Sequence, residues 1–200
     1  MPAVIVLRPV LDRIEPEMQD SLNAMKADAF MSGTCEFVPN PWADLFVTGC
    51  PFLHTTRNEL IQQAFKRKGW THALFVDNDM TFPVGALKAL LEDDKDIVGV
   101  QYRMRSEPFW INAWVKEEGG IRQLEKARAD EGTHEVAAVG MGLTLVRREV
   151  FVSLGAEAFS FKEFTGEDIE FCMKAERLGY KTWLNCNLQI GHIGKRVYEV

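Results

Sequence analysis

Short apolar runs alternating with helical stretches fill the first hundred residues, and this alternation constrains the chain more than any other feature. Ala3-Val-Ile-Val-Leu7 is an unbroken apolar run rich in β-branched residues, the pattern of a strand buried on both faces. A helical stretch over Glu17 to Ala29 follows. Cys35-Glu-Phe-Val38 is a second strand, ended by Pro39, Asn40 and Pro41. Thr56-Arg-Asn-Glu59 has capping-box spacing, which predicts a helix from Thr56 to about Lys68, stopped by Gly69. Thr71-His-Ala-Leu-Phe-Val76 is a third strand, Val84 to Leu91 a helix opened by Pro83, and Asp96-Ile-Val-Gly-Val100 a fourth strand. This β-α-β-α-β-α-β order predicts an α/β fold with a mostly parallel sheet flanked by helices.

The second half is less regular. Residues 101–135 carry polar turns, Trp110, Trp114 and Gly119-Gly120, which predicts a loop or a small excursion. Val136 to Val146 returns as strand. Glu167 to Leu178 reads as an amphipathic helix closed by Gly179, and Lys181 to Leu184 as a further strand.

Length and composition narrow the function classes. Two hundred residues make one domain, 1–200, and 46% hydrophobic with 26% charged residues is a soluble globular balance. No segment approaches the roughly 18 apolar residues of a membrane span. Met1 to Val10 carries Arg8 without a basic lead-in or a small-residue cleavage site, so it reads as a strand and not a signal peptide. Net charge is −6 with Lys and Arg dispersed, which argues against nucleic-acid binding. Cys35, Cys50, Cys172 and Cys186 form no Cys-x-x-Cys pair, which argues against structural zinc; they are expected as free thiols in a reducing cytoplasm.

Three features carry chemistry. Asp77-Asn78-Asp79 ends an apolar strand, the place where open α/β sheets bind ligands. Two carboxylates there suit Mg²⁺ or Mn²⁺, which can hold a diphosphate; a plain solvated turn uses the same residues. Gly166-Glu167-Asp168 opens the late helix, where acids cap routinely but where a carboxylate is also fixed well enough to be a general base. Gly191-His192-Ile-Gly194 exposes an imidazole between glycines, whereas His54, His72 and His134 have no supporting context.

In this order the pieces resemble the GT-A glycosyltransferases: Asp77-Asn-Asp79, then Gly140-Met141-Gly142 with Leu145-Val-Arg-Arg-Glu-Val-Phe151, then Gly166-Glu-Asp168, then His192, with Arg57-Asn58 upstream. The resemblance covers roughly residues 50–194. It implies a GT-A-like single domain with a Rossmann-like sheet, residues 1–100 forming the nucleotide-binding half and 101–200 the acceptor and catalytic half. A nucleotide-sugar, expected to be a UDP-sugar, would pass its sugar to an acceptor with Mn²⁺ or Mg²⁺. The metal would be held directly by Asp79 and completed by His192, with Asp77 contacting the nucleotide ribose or the metal through water. Arg57, Asn58, Asp77, Asn78 and the Gly140-Met141-Gly142 backbone would bind the donor. Asp168, with Glu167 beside it, would be the catalytic base. Tyr102, Arg103, Trp110 and Trp114 would form an acceptor platform. Leu7-Arg-Pro-Val10 departs from the Pro-x-Tyr-Asn turn common in inverting relatives, which leaves recognition of the donor base open.

Two other classes compete. Asp77-Asn-Asp79-Met-Thr81 fits the Asp-x-Asp-x-Thr pattern of haloacid-dehalogenase-like phosphatases, with Asp77 as nucleophile, Asp79 as acid/base and Lys162 as a cation. That motif normally follows the first strand of its domain, whereas here about three α/β units precede it. A non-catalytic module binding a nucleotide-sugar is the third possibility.

Overall fold

The computed structural model describes residues 1–11, 13–128, 131–162 and 165–194. Its first half runs β1 (Ala3–Val10), α1 (Pro16–Met31), β2 (Glu36–Phe37), β3 (Leu45–Thr48), α2 (Leu53–Phe65), β4 (His72–Val76), β5 (Met80–Thr81), α3 (Ala86–Glu92) and β6 (Ile97–Val100). The second half adds β7 (Ala113–Glu117), β8 (Gly120–Gln123), β9 (Thr133–Val136), β10 (Ala138–Val139), β11 (Leu143–Arg147), α4 (Arg148–Leu154), α5 (Glu167–Arg177), β12 (Thr182–Asn185) and β13 (Gly191–His192).

An eight-stranded sheet in the order β2-β1-β4-β11-β6-β12-β9, with β3 also on β1, forms the centre. β1 runs parallel to β2, β3 and β4, and β6 parallel to β12. β11 is antiparallel between β4 and β6, and β9 is antiparallel to β12. The sheet is therefore mixed: among the described residues four of its seven strand pairings are parallel, as the alternation in the first half predicted, and three are antiparallel. β11 also comes from the second half and separates two first-half strands, so the expected division at residue 100 runs through the middle of the sheet.

The central strands are largely apolar because both faces are covered. Along β1 and β4, Ile5, Leu7, Ala73 and Phe75 enter the core shared with α2, α4 and α5, where Phe151, Phe159 and Phe171 cluster. Val4, Val6, Leu74 and Val76 enter the opposite core, against Met18 and Leu22 of α1 and Leu87 and Leu90 of α3. A period of two on a doubly buried strand produces this split. Among the described residues no helix is long and apolar enough to cross a membrane. No disulfide joins the four cysteines, and burial pushes the Cys35 thiol up to about 11 and the Cys172 thiol up to about 12.

Three local expectations change. The helix predicted from Thr56 starts at Leu53, so Thr56 is inside it, buried, and caps nothing. Its backbone N–H already donates to the Phe52 carbonyl at 3.1 Å, which leaves the proposed capping box no orphan donor to serve. The helix also ends at Phe65, before Gly69. The strand predicted over Val136 to Val146 is broken into β10 and β11 by Gly140-Met141-Gly142, and the excursion before it is an antiparallel sheet of β10, β7 and β8.

Candidate active site

β1 and β4 are parallel and adjacent, so their carboxyl ends share one edge, and Asp77, Asn78 and Asp79 leave the sheet there. Asn78 ties the two strands together: its side-chain Nδ2 donates to the Pro9 carbonyl at 3.0 Å, and its carbonyl accepts from the Glu15 N–H at 3.2 Å. From Asp79 the chain enters β5, which pairs antiparallel with β13 and sets His192 opposite Met80. The Ile193 N–H closes the pairing on the Asp79 carbonyl at 2.7 Å. Gly191 is required at this crossing, because a Cβ there would lie 2.5 Å from the Thr81 hydroxyl. Sequence-distant His192 thus reaches Asp79 through backbone pairing.

These groups line a broad cleft of about 1890 Å³. His192 Nε2 lies 3.6 Å from Asp79 Oδ2, and its Nδ1 lies 2.9 Å from the Arg103 carbonyl. A carbonyl can only accept, so Nδ1 carries a proton, and the other ring nitrogen faces the Asp79 carboxylate. Arg105 Nη1 pairs with the same Asp79 oxygen at 2.9 Å. Burial pushes the Asp79 carboxyl up, but the hydrogen bond and charge of His192 and the Arg105 guanidinium outweigh it, and the net shift is downward.

Beside this pair lies a second charged group. Arg57 rises from α2 with its side chain 3% exposed, ion-paired to Glu167 and 3.3 Å from Asp77 Oδ1. Asp168, next along α5, feels the same guanidinium. Burial raises Asp77 above the ordinary carboxylate range, with Arg57 opposing. Burial likewise pushes Asp168 up to about 6, opposed by Arg57 and reinforced by the neighbouring Glu167. Its Oδ1 accepts the Ile169 N–H at 2.8 Å and folds back over the helix start. A Cβ at residue 166 would meet that oxygen at 2.8 Å, which accounts for Gly166.

The site expected from the sequence divides. Arg57, Asp77, Asn78, Asp79, Tyr102, Arg103, Met141, Glu167, Asp168 and His192 all line the cleft. Asn58 does not: its amide bonds both the carbonyl and the N–H of Phe159, at 2.7 and 2.9 Å, and so anchors the 159 segment to α2. Gly140 and Gly142 also lie outside it. Their missing side chains make room for Tyr102 and Asn112, because a Cβ at Gly140 would sit 1.9 Å from Asn112 Nδ2 and one at Gly142 2.7 Å from the Tyr102 ring. Trp114 packs against the core and Trp110 does not line the cleft, so of the four residues expected to form an acceptor platform only Tyr102 and Arg103 line it. Asn112 had no signal of its own; its amide donates to the Tyr102 hydroxyl, which also accepts the Gly142 N–H at 3.2 Å. The Asp79 partnership of Arg105 was equally hidden, since 26 residues and β6 separate the two.

Asp79 and His192 offer an oxygen and an imidazole nitrogen on one side of the cleft, two donors that suit Mn²⁺ better than Mg²⁺ and would need further ligands from outside the protein. The second ring nitrogen of His192 is held by a carbonyl, as metal-binding histidines require. Asp77 is turned to Arg57 instead, and among the described residues no group of three or more His, Cys, Asp or Glu side chains could hold a metal by itself.

No family model and no curated protein sequence matches this chain. Among solved structures it is similar to A197 from STIV, at 16% identity and TM-score 0.63, over 98% of this chain and 87% of that one. It is also similar to GalNAc-T7 solved with UDP, GalNAc and Mn²⁺, at 13% identity and TM-score 0.56, over 98% of this chain. A third neighbour is S. aureus TarS 1-349 in complex with UDP-GlcNAc, at 17% identity and TM-score 0.55, over 100% of this chain. The chain has a GT-A-like fold. It spans 43% of the GalNAc-T7 chain and 60% of the TarS chain, and at these identities the likeness is one of fold. On the GT-A-like frame Asp77-Asn78-Asp79, the start of α5 and His192 face one cleft at the carboxyl edge of β4.

Proposed function

We propose that this chain is a glycosyltransferase that moves a sugar from a nucleotide-sugar, expected to be a UDP-sugar, to an acceptor hydroxyl. One observation carries the proposal. Asp79 with His192, and Arg57 with Asp77, Glu167 and Asp168, come from separate stretches of the chain onto one cleft of a GT-A-like fold. Two neighbours of that fold were solved with UDP or UDP-GlcNAc, one of them with Mn²⁺.

Each group then has a task. A divalent cation, when bound, would neutralise the charge that develops on the diphosphate leaving group. Asp79 Oδ2 and His192 Nε2 are the residues that would hold it, with phosphate oxygens and water completing its shell. Asp168 takes the proton of the acceptor hydroxyl as the anomeric C–O bond to phosphate breaks and the new glycosidic bond forms. A carboxyl held at about 6 is charged at neutral pH yet more basic than an ordinary aspartate. Arg57 fixes Glu167 and Asp77 and keeps the like-charged carboxylates from repelling one another. Tyr102 and Arg103, which line the cleft, are the residues this reading assigns to the acceptor. Residues 1–200 act as one domain, and cysteines without a disulfide fit a reducing cytoplasm.

The phosphatase alternative is weaker, because Lys162 pairs with Glu170 at 3.0 Å and does not line the cleft. Calorimetric titration of UDP with and without MnCl₂ tests the donor site. Binding that needs the metal supports the proposal; no UDP binding with either Mn²⁺ or Mg²⁺ counts against it.

A further inference from the structure

Arg105 and His192 converge on the same atom. Arg105 Nη1 is 2.9 Å from Asp79 Oδ2, and His192 Nε2 is 3.6 Å from that oxygen. The positive charge of Arg105 therefore occupies the side of the carboxylate where a cation shared with His192 would bind. Two cations cannot share one carboxylate oxygen without strong repulsion.

The segment that carries Arg105 also controls the other ligand. Arg103 and Arg105 alternate on one strand of a small turn, with Arg103 bridged to Ile111 and the Met104 N–H donating to the Trp110 carbonyl at 2.8 Å. The Arg103 carbonyl holds His192 Nδ1 and so aims Nε2 at Asp79. Two residues on, Arg105 covers the oxygen that Nε2 faces. Its side chain is 54% exposed while that of Asp79 is 23% exposed, so the guanidinium can leave for water or for a phosphate while an incoming cation takes over the charge of Asp79.

Resting on the proposed donor site, we infer that Arg105 is a displaceable counter-ion of Asp79. It neutralises the carboxylate while the cleft is empty, competes there with a free divalent cation, and moves to the phosphate oxygens when the cation arrives with a nucleoside diphosphate. The guanidinium fork matches phosphate oxygens in geometry and charge. Metal and nucleotide consequently bind as a pair, each weakly without the other. Arg105 is thus a positioning residue that sets the order of assembly and favours diphosphate-bearing ligands over bare metal.

The test is a titration of MnCl₂ into the whole chain, followed by the electron paramagnetic resonance of free Mn²⁺, with and without UDP. It is run on the native protein, Arg105→Ala and Arg105→Lys. Arg105→Ala should bind Mn²⁺ alone roughly threefold more tightly, the size of one exposed ion pair. The same variant should bind UDP with Mn²⁺ about tenfold more weakly, as one charge-assisted contact is lost. Arg105→Lys should stay near the native value for Mn²⁺ alone, because it keeps the charge. Unchanged Mn²⁺ affinity in Arg105→Ala overturns the inference while leaving the donor site standing. Absence of Mn²⁺-dependent UDP binding in the native protein overturns the donor site as well. The circular dichroism spectrum of each variant confirms that both comparisons are made on folded chains.

Discussion

Arg57 and Glu167 form a buried ion pair across 110 residues of sequence, and Asp77 joins it from the end of the central strand. One cation from α2 thereby locks the start of α5 to the carboxyl edge of β4. Removing it would leave two carboxylates facing one another beside Asp168, with no counter-ion from α2.

Arg57→Ala should therefore destabilise the fold by about 3–5 kcal/mol, the typical cost of breaking a buried pair from one side. Urea unfolding followed by tryptophan fluorescence measures it. Arg57→Met with Glu167→Gln together should recover part of the loss, since the double change removes both charges.

Asp168 gives a pH signature with a definite sign. Its folded pKa of about 6 lies above the ordinary aspartate value. The protonated form is thus favoured on folding, and that stability is present at low pH and lost as pH rises through about 6. Asp168→Asn keeps an acceptor for the Ile169 N–H without the charge. It should be more stable than the native protein at pH 8 by about 3 kcal/mol, with the gap closing below roughly pH 4. Thermal unfolding at both pH values checks this. Turnover in the native enzyme should fall as pH drops below about 6, and Asp168→Asn should retain donor binding while losing transfer.

Gly140→Ala should lower the melting temperature without any ligand present, because its Cβ would strike Asn112 and the Tyr102 hydroxyl. A cost of about 1–3 kcal/mol follows from overpacking of this kind. Differential scanning calorimetry of the unliganded chain decides between this packing role and a contact with the donor sugar, which would leave the unliganded melting temperature unchanged.

Much of this fold could be read in the sequence wherever local pattern and burial agree. β1 opens on the apolar run Ala3–Leu7, β4 is apolar from Ala73 to Val76 and β6 has no polar side chain, because both sheet faces are covered, and α5 carries acids in its first turn and Lys174 and Arg177 in its last. The order of strands could not be read, because insertion of β11 between β4 and β6 is a pairing across the whole chain and leaves no local mark. β3 had a mark, the alternation of buried Leu45 and Val47 with exposed Phe46 and Thr48, but it is only four residues long. Thr56-Arg-Asn-Glu59 misled because a capping box is recognised by spacing, while tertiary packing starts the helix one turn earlier, at Leu53.

The site shows the same division. Asp77, Asp79, Asp168 and His192 stand out as polar residues at element ends, and β5–β13 pairing brings the last of them to Asp79. Asn58 carries the right chemistry, yet its amide is consumed by the Phe159 backbone. Gly140 and Gly142 mark a close approach correctly, but the approaching group is Tyr102.

Asp79→Ala removes the one carboxylate facing both His192 and Arg105. It should abolish Mn²⁺-dependent binding of UDP in calorimetric titration and leave the fold intact, since the side chain supports no core packing. Metal-dependent binding of native strength in this variant would contradict the role given to Asp79.

The most direct measurement is nucleotide release from a set of UDP-, GDP-, CMP- and dTDP-sugars incubated with the protein and MnCl₂, each repeated with EDTA. The account predicts release from one donor, expected to be a UDP-sugar, that stops when EDTA is added and is absent in Asp168→Asn. Release from none of them, with no metal-dependent rise in melting temperature on adding UDP, would contradict a glycosyltransferase.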